Sequence, residues 1–210
     1  MFALVRHDVN SGSGALVTIM VGPDVIWISH AQYPWKACRL SPEPAWCFLT
    51  FDLFLELMMK YWLLKSEPSV FGIENLKNRP DGTEHWDGVR NYQARNFMRD
   101  EMKCGDLAFF YHSNCKVPGI VGIVEIVREA YPDFTAFDPE DDHYDPKSSR
   151  DLPRWYMVDV RFKREFSRTI SLNELKECAE LQEMALLRRG NRLSVMPVTR
   201  TQWQFILSLT

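Results

Sequence analysis

The chain has 210 residues, of which 46% are hydrophobic and 25% are charged, and its formal net charge is −3. This composition is typical of a globular protein with one sizeable core, and the length allows one domain or one domain with an appendage. Non-specific affinity for nucleic acids comes from neutralised phosphates, so bulk charge is excluded as a means of holding long duplexes. Any nucleic-acid binding therefore requires a local basic patch or a specific pocket.

The first 57 residues carry no persistent hydrophobic pattern. Glycine, serine and proline interrupt them, and neither a period of 2 nor a period of 3.6 continues over a useful length. We expect residues 1–59 to be an N-terminal extension that is poorly structured or that precedes a natural start at Met58 or Met59. A small lineage-specific cap is the alternative. N-terminal sequencing of protein made from the native gene distinguishes these hypotheses. A natural start at Met1 would contradict the hypothesis that the segment precedes the natural start.

The most apolar stretch, Phe48 to Leu64, is unlike a membrane span. Asp52, Glu56 and Lys60 interrupt it at every fourth residue, which places three charges on one stripe of a helix. We therefore expect no membrane segment. The N-terminus also lacks the basic segment and clean apolar run of a secretory signal.

The cysteines are odd in number and form no C-x-x-C pair, which indicates free thiols in a reducing compartment. The expected location is cytoplasmic, or nuclear if the source is eukaryotic. Cys104, His112 and Cys115 have no evident fourth partner, so we expect no metal site. We expect no cofactor either, because no P-loop and no G-x-G-x-x-G motif occurs. The five cysteines are Cys38, Cys47, Cys104, Cys115 and Cys178.

A strongly patterned body follows the extension and occupies residues 60–210. The apolar run from Tyr61 to Ser66 predicts a buried strand, and the segment from Phe71 to Leu76 suits one or two helical turns. Asn91 can cap a helix that runs through Met102. The body therefore opens with short elements of both kinds.

The second half of the body continues this mixture. Segments rich in aromatic and β-branched residues predict strands, and capped or amphipathic segments predict helices. Because these strands and helices do not follow one another as regular βαβ units, the expected class is α+β with a curled, mainly antiparallel sheet. The strands are expected at residues 107–113, 119–130 and 155–166, and the helices from residue 171 and at residues 184–189 and 199–207.

Seven short motifs occur in order along the body. They are Tyr61–Pro68, Trp86–Asn96, Phe109–Ser113, Pro118–Gly122, Asp145–Lys147, Pro153–Trp155 and Arg188–Val195. Each is weak alone, but together they closely resemble the EVE-domain family. The resemblance implies a PUA-like pseudo-barrel of mainly antiparallel strands with flanking helices, related to domains that recognise methylated bases in RNA. It also implies binding of a modified cytosine in DNA.

A reader of single bases needs flat apolar faces, hydrogen-bonding groups for the base edge, and cations for the flanking phosphates. Side chains of all three kinds lie in the matching motifs, so we expect them to form a base-binding pocket. Core filling by the aromatic residues, helix capping by Asn91 and ion pairing by Lys65 or Arg90 are the structural alternatives. The stacking candidates are Trp86, Tyr92, Tyr111 and Trp155, and the polar candidates are Lys65, Ser66, Glu67, Arg90, Asn91, His112 and Ser113.

The C-terminal segment from Met184 to Thr210 contains arginines but no acidic residue. We expect Arg188, Arg189 and Arg192 to contact phosphates, which suits a modest salt dependence of binding. The alternative is that these cations lie at a helix end before Gly190, where the helix dipole favours them.

The expected function is that of a non-catalytic module that reads a modified base. The first alternative is a methylated-peptide or other small-ligand adaptor, since Glu67 and Asp87 can supply an acidic rim. The second is a nuclease-type enzyme that uses the acidic loop near residues 138–145. The expected partners are a modified DNA or RNA base and, for any downstream effect, other proteins. The chain is expected to be a monomer.

Overall fold

A computed structural model describes residues 59–210, together with the backbone of four strands at residues 3–5, 17–21, 25–30 and 33–39. The chain divides into two compact units, Met1–Met58 and Met59–Thr210. Most of the apolar stretch that begins at Phe48 lies outside the described residues. Within the described part, no helix has both the length and the apolar character needed to cross a membrane.

The N-terminal unit contains an antiparallel meander. Its strands pair in chain order, with Ala3 opposite Val21 and Val25 opposite Arg39. Whether this segment precedes the natural start stays a prediction for N-terminal sequencing. The strands are β1 (Ala3–Val5), β2 (Val17–Val21), β3 (Val25–His30) and β4 (Tyr33–Arg39).

The body is built on a six-stranded sheet. Its strands are β5 (Tyr61–Ser66), β6 (Thr83–Trp86), β7 (Leu107–His112), β8 (Gly119–Pro132), β9 (Tyr156–Ser171) and β10 (Val195–Val198). They lie in the order β10-β5-β7-β8-β9-β6, and β5 with β7 is the parallel pair in an otherwise antiparallel sheet. Register shifts along β8 and β9 bend these long strands. The predicted α+β class with a mainly antiparallel sheet is confirmed.

Short helices flank this sheet. They are α1 (Ile73–Lys77), α2 (Tyr92–Asn96), α3 (Leu172–Glu177) and α4 (Arg200–Ser208). The Asn91 side chain caps α2 as predicted, because it accepts hydrogen bonds from the amides of Gln93 at 2.9 Å and Ala94 at 3.1 Å. The α-helical part is shorter than predicted, since a π-helical turn occupies Phe97–Glu101. The helix predicted at residues 184–189 is wrong, because Met184 and Arg188 have extended backbone and leave room for one 3₁₀ turn, Ala185–Leu187.

Apolar side chains cover both faces of the sheet. Trp62 and Leu64 belong to one core, and their neighbours Tyr61 and Leu63 belong to a second core on the opposite face. In the second core, Trp203 of α4 stacks on Phe109 with ring centroids 4.0 Å apart. Burial on both faces explains why β5 is a continuous apolar run without alternation.

Candidate functional site

A cavity of about 630 Å³ opens beside the carboxyl ends of β5 and β6. Its walls come from these strand ends, from the loops that follow them, and from the segment before β10. Ser113, which follows β7, and His143, from the loop between β8 and β9, complete the lining. The volume lies within the range of about 300–1,000 Å³ that is usual for small-ligand sites.

One wall of the cavity is apolar. Trp86 is 6% exposed, and its ring meets Phe110 edge-on with the ring centroids 5.3 Å apart. Trp86 and Val89 belong to the first core, and Phe71 and Leu193 pack against it, so this part of the wall is rigid. Such a wall suits a flat apolar group. The apolar lining residues are Val70, Phe71, Trp86, Val89 and Leu193.

Cationic side chains of Lys65, Arg79 and Arg192 line the same cavity. Burial lowers the pKa of Lys65, whose ammonium lies 5.9 Å from the centroid of the Tyr111 ring. The Arg79 Nε atom lies 2.5 Å from a Glu84 carboxylate oxygen. Arg192 is exposed, and within residues 59–210 no acceptor holds its guanidinium. Arg192 is therefore available to an incoming anion.

Carboxylates and imidazoles complete the polar lining. Glu67 accepts a hydrogen bond from the Asn114 side-chain amide at 3.0 Å. Glu84 lies 2.6 Å from Nδ1 of His85 in addition to its pair with Arg79. Asp87 lies 3.9 Å from Nε2 of His85, which is beyond hydrogen-bond distance. Burial raises the pKa of Asp87.

Backbone hydrogen bonds hold the strand ends that frame the opening. The Ser113 amide donates to the Ser66 carbonyl at 2.8 Å, and the Lys65 amide donates to the Ser194 carbonyl at 2.8 Å. The Ser113 hydroxyl also donates to the Ser66 carbonyl, at 3.3 Å. These three serines line the cavity.

A buried carboxylate fixes the loop after β6. Asp133, whose side chain is 0% exposed, accepts hydrogen bonds from the Gly88 amide at 3.1 Å and from Arg90 Nη1 at 2.7 Å. It also accepts the amide and the hydroxyl of Thr135, at 3.0 and 2.6 Å. Burial by itself would raise the pKa of Asp133, but the hydrogen bonds from Thr135 and Arg90 and the Arg90 charge outweigh it, so the pKa lies below its ordinary value.

Arg90 and Gly88 position His143 against this loop. Arg90 Nε and Nη2 donate to the His143 carbonyl at 2.8 and 2.5 Å. Gly88 has a φ of +70°, and a Cβ atom there would lie 2.8 Å from His143 Nε2. Glycine is therefore required at this position both for its backbone conformation and for the close approach of the ring.

The cavity brings together part of the predicted set. Within the part of the chain that the structure describes, the predicted pocket residues on its lining are Lys65, Ser66, Glu67, Trp86 and Ser113, joined by the predicted phosphate ligand Arg192. All of them belong to the motifs that carry the family resemblance, and they come from strand ends or from the loops next to them.

Other predicted aromatic residues lie outside the lining. Tyr111 is buried in the second core, where burial raises its pKa to about 12. Trp155 is 5% exposed and stacks on the exposed ring of Tyr92, with ring centroids 4.9 Å apart. The Trp155 indole nitrogen donates to Asp145 at 2.7 Å. Trp86, Tyr111 and Trp155 thus occupy different surroundings, because strand alternation and loop packing separate them.

The remaining polar candidates have structural partners. Arg90 holds Asp133 and His143, and Asn91 caps α2, as described above. His112 Nε2 accepts the amide of Ile73 at 3.2 Å, and burial lowers the pKa of His112. Arg188 and Arg189 are exposed and lie beside the cavity residue Arg192 in the chain, but outside the lining.

Several lining residues were not among the predicted set. Asp87, Gly88 and Val89 belong to the same Trp-Asp-Gly-Val motif as Trp86, so the motif itself was the available signal. Arg79, His85 and Glu84 lie just before it on β6 or the preceding turn. His143 carried no local signal, because contacts distant in sequence bring its loop to the cavity, among them the hydrogen bonds from Arg90.

No group of three or more His, Cys, Asp or Glu residues suited to a metal ion occurs within residues 59–210. Cys104, Cys115 and Cys178 are free thiols. The side chains of the other two cysteines lie outside the described part of the chain.

Comparison with known proteins places this architecture in a family. The family model named EVE domain matches residues 60–209. Thymocyte nuclear protein 1 of Danio rerio is 54% identical over 165 residues, which is 70% of this chain and 71% of that protein. The human protein of the same name is 49% identical over 172 residues, which is 74% of this chain and 76% of that protein.

Solved structures agree with the sequence relatives. The crystal structure of human THYN1 protein in complex with 5-methylcytosine-containing DNA is 51% identical, with a TM-score of 0.68 over 71% of this chain and 96% of that chain. A crystal structure of a Pseudomonas putida protein is 52% identical, with a TM-score of 0.68 over 71% of this chain and 98% of that chain. The resemblance found in the sequence motifs is confirmed. The chain belongs to the EVE domain family.

Proposed function

We propose that this protein binds DNA and receives a modified cytosine, turned out of the helix, in the cavity walled by Trp86. The observation that carries the proposal is the cavity itself, which combines a rigid apolar wall with cations on the same lining. The human relative in complex with 5-methylcytosine-containing DNA, 51% identical to this chain, supports the choice of DNA and of the modified base.

A base must leave the stack before it can enter a cavity of this kind, and unstacking costs a few kcal/mol. Stacking on an aromatic ring returns about 1–3 kcal/mol, so the Trp86 wall offsets much of that cost. The modules that read single bases use the same combination of ring, base-edge hydrogen bonds and phosphate contacts. No step of this function requires a covalent reaction, and the proposal is for a non-catalytic reader.

The small free energy gained by burying one methyl group limits how strongly such a protein can prefer a methylated base. Burial of one methyl contributes about 0.8 kcal/mol, which is about a fourfold difference in affinity. A cytosine methyl is neutral, so the larger cation–π contribution available to a methylated lysine is absent. We therefore expect weak binding with modest preference for the methylated base.

Calorimetry with matched duplexes tests the proposal. A duplex with one central 5-methylcytosine is expected to bind about four- to tenfold more tightly than the same duplex with cytosine. Equal affinities for the two duplexes contradict the proposal. Incubation of the same duplexes with the protein and Mg²⁺ should leave the strands intact, and cleavage would support the nuclease alternative instead.

Arg192 supplies a second test, because it lies at the cavity without a partner among residues 59–210. Arg192→Ala should weaken binding to modified and unmodified duplexes by a similar factor. It should also reduce the slope of log K against log salt by about 1, as expected for one lost phosphate contact. Arg168→Ala is the control, because Arg168 is paired with Glu174 at 2.7 Å and lies outside the lining. An unchanged salt slope in Arg192→Ala contradicts the phosphate contact.

A reader of methylated lysine is the second candidate, because Glu67, Glu84 and Asp87 line the cavity beside Trp86. The pairing of Glu84 with Arg79 and His85, and the cations on the same lining, favour an anionic partner over a cationic one. A competition experiment separates the two functions. Displacement of modified DNA by 5-methyl-2′-deoxycytidine supports base reading, whereas displacement by a trimethyl-lysine peptide supports the second candidate.

Nuclear location in a eukaryote is part of the same proposal, and the name of the relatives, thymocyte nuclear protein 1, supports it. A role for other proteins in any downstream effect, and a monomeric state, stay proposals as well.

A further inference from the structure

A cavity that accepts the methyl group of 5-methylcytosine must also distinguish this base from thymine. Thymine carries a methyl on the same ring carbon as 5-methylcytosine. The apolar wall at Trp86 therefore offers equal contact to both bases. If the protein reads modified cytosine as proposed above, a polar group of the cavity must tell the two bases apart.

The two bases differ at ring position 4 and at the neighbouring ring nitrogen. A cytosine presents an amino group, which donates hydrogen bonds, where thymine presents a carbonyl oxygen, which accepts them. An ionised carboxylate only accepts hydrogen bonds. A carboxylate placed at this edge would therefore bind the amino group and repel the carbonyl oxygen.

The carboxylates on the cavity lining differ in their existing partners. Glu84 is held by Arg79 at 2.5 Å and by His85 at 2.6 Å. Glu67 accepts a hydrogen bond from Asn114 at 3.0 Å. No other side chain in residues 59–210 donates a hydrogen bond to Asp87, and the nearest imidazole nitrogen, Nε2 of His85, is 3.9 Å away.

Asp87 also has the right surroundings for a ligand-binding acceptor. It directly follows Trp86, the aromatic residue of the apolar wall, and its side chain is 32% exposed. The next amide, of Gly88, is tied to the buried Asp133 at 3.1 Å, so the backbone at this point is held firmly. Burial raises the pKa of Asp87, with smaller opposing influences of His85 and of the residue's own backbone amide, as expected for a partly buried carboxylate to which no other side chain donates.

We propose that the Asp87 carboxylate accepts a hydrogen bond from the 4-amino group of the bound base and so makes the cavity select cytosine-type bases over thymine. This inference rests on the proposed function, since it assigns selectivity within the same cavity. The methyl group then sets the preference among cytosines, and Asp87 sets the preference between 5-methylcytosine and thymine.

Asp87→Asn tests the inference, because the side-chain amide keeps the shape of the carboxylate but can donate to a carbonyl oxygen. Affinity should be measured for duplexes that carry either 5-methylcytosine or thymine opposite an abasic site, so that neither base must break a pair. The wild-type protein should prefer 5-methylcytosine about tenfold or more. In Asp87→Asn this ratio should fall to about one or invert.

Asp142→Asn is the matched control. It removes one negative charge from the exposed loop that also carries the lining residue His143, but Asp142 itself lies outside the lining. Its ratio of affinities should equal that of the wild type. Thermal melting of all three proteins confirms that each is folded at the temperature of the binding measurement.

The possible results separate the inference from the proposed function. Failure of the wild-type protein to bind the 5-methylcytosine duplex overturns both. Binding of the two duplexes with equal affinity by the wild type overturns the inference alone. The inference is also overturned if Asp87→Asn leaves the ratio of the affinities for the 5-methylcytosine and thymine duplexes unchanged. This includes the case where both affinities fall by the same factor. A lost or inverted ratio, with the control unchanged, supports it.

Discussion

Asp133→Ala is expected to lower the free energy of unfolding by about 3–5 kcal/mol, as is usual when one partner of a buried charge pair is removed. The Asp133 side chain is 0% exposed and pairs with Arg90 at 2.7 Å. It also accepts hydrogen bonds from Gly88 and Thr135. Its loss would leave Arg90, whose side chain is 22% exposed, without a counter-charge in a partly buried position. Urea denaturation at neutral pH measures the effect.

The control for this measurement is Asp142→Ala, which removes an exposed carboxylate of the neighbouring loop. It should change the free energy of unfolding by no more than about 0.5 kcal/mol. Asp133→Asn should cost less than Asp133→Ala, because the side-chain amide oxygen still accepts from Gly88 and Thr135. A loss below about 1 kcal/mol in Asp133→Ala would contradict the importance of this carboxylate.

The pH dependence of stability provides a further readout of the same residue. Because the folded-state pKa of Asp133 is lowered, its contribution is fully present above the unfolded value, about 3.9, and is lost as pH falls through the lower folded value. The wild-type protein should lose stability below about pH 4. Asp133→Ala should show a smaller loss over the same range.

The second large effect is expected for Trp86→Leu. The substitution keeps an apolar side chain but removes the ring on which a base can stack. Because such stacking contributes about 1–3 kcal/mol, the affinity for the 5-methylcytosine duplex should fall roughly 5- to 150-fold. Calorimetry with that duplex measures the change.

Trp203→Leu is the control for Trp86→Leu because it makes the same exchange in the second core, where Trp203 is 3% exposed and stacks on Phe109. Both variants should lose stability, by less than the about 3–5 kcal/mol usual for Trp→Ala. Only Trp86→Leu should lose affinity at a temperature where both are folded. Wild-type affinity in folded Trp86→Leu would refute base stacking at this wall.

The helices and strands of residues 60–210 could be predicted where the sequence pattern that forms them is local. The apolar run of β5 and the cap at Asn91 depend on residues within a few positions of each other, so the sequence is sufficient for them. The length of α2 was overestimated, because the wider turn at Phe97–Glu101 forms where Met98 and Met102 are buried in the first core.

The candidate site was predictable only in part. The motif that contains Trp86 pointed to the loop after β6, and Lys65, Ser66 and Ser113 stand at strand ends that meet there. Tyr111 and Trp155 belong to the same set of motifs, yet they lie elsewhere. Residue type and motif membership indicate which side chains could bind a base, but not which of them share one surface.

By itself, the sequence of this protein determined the α+β class, the family and most element positions, because these follow from local patterning and from ordered motifs. The tertiary structure alone decided the lining of the cavity. Side chains of β7 alternate between the two cores, so Phe110 meets Trp86 in one core while Tyr111 enters the other. Likewise, His143 lies on the cavity lining although it is more than fifty residues away in the chain from Arg90, whose guanidinium binds its carbonyl oxygen.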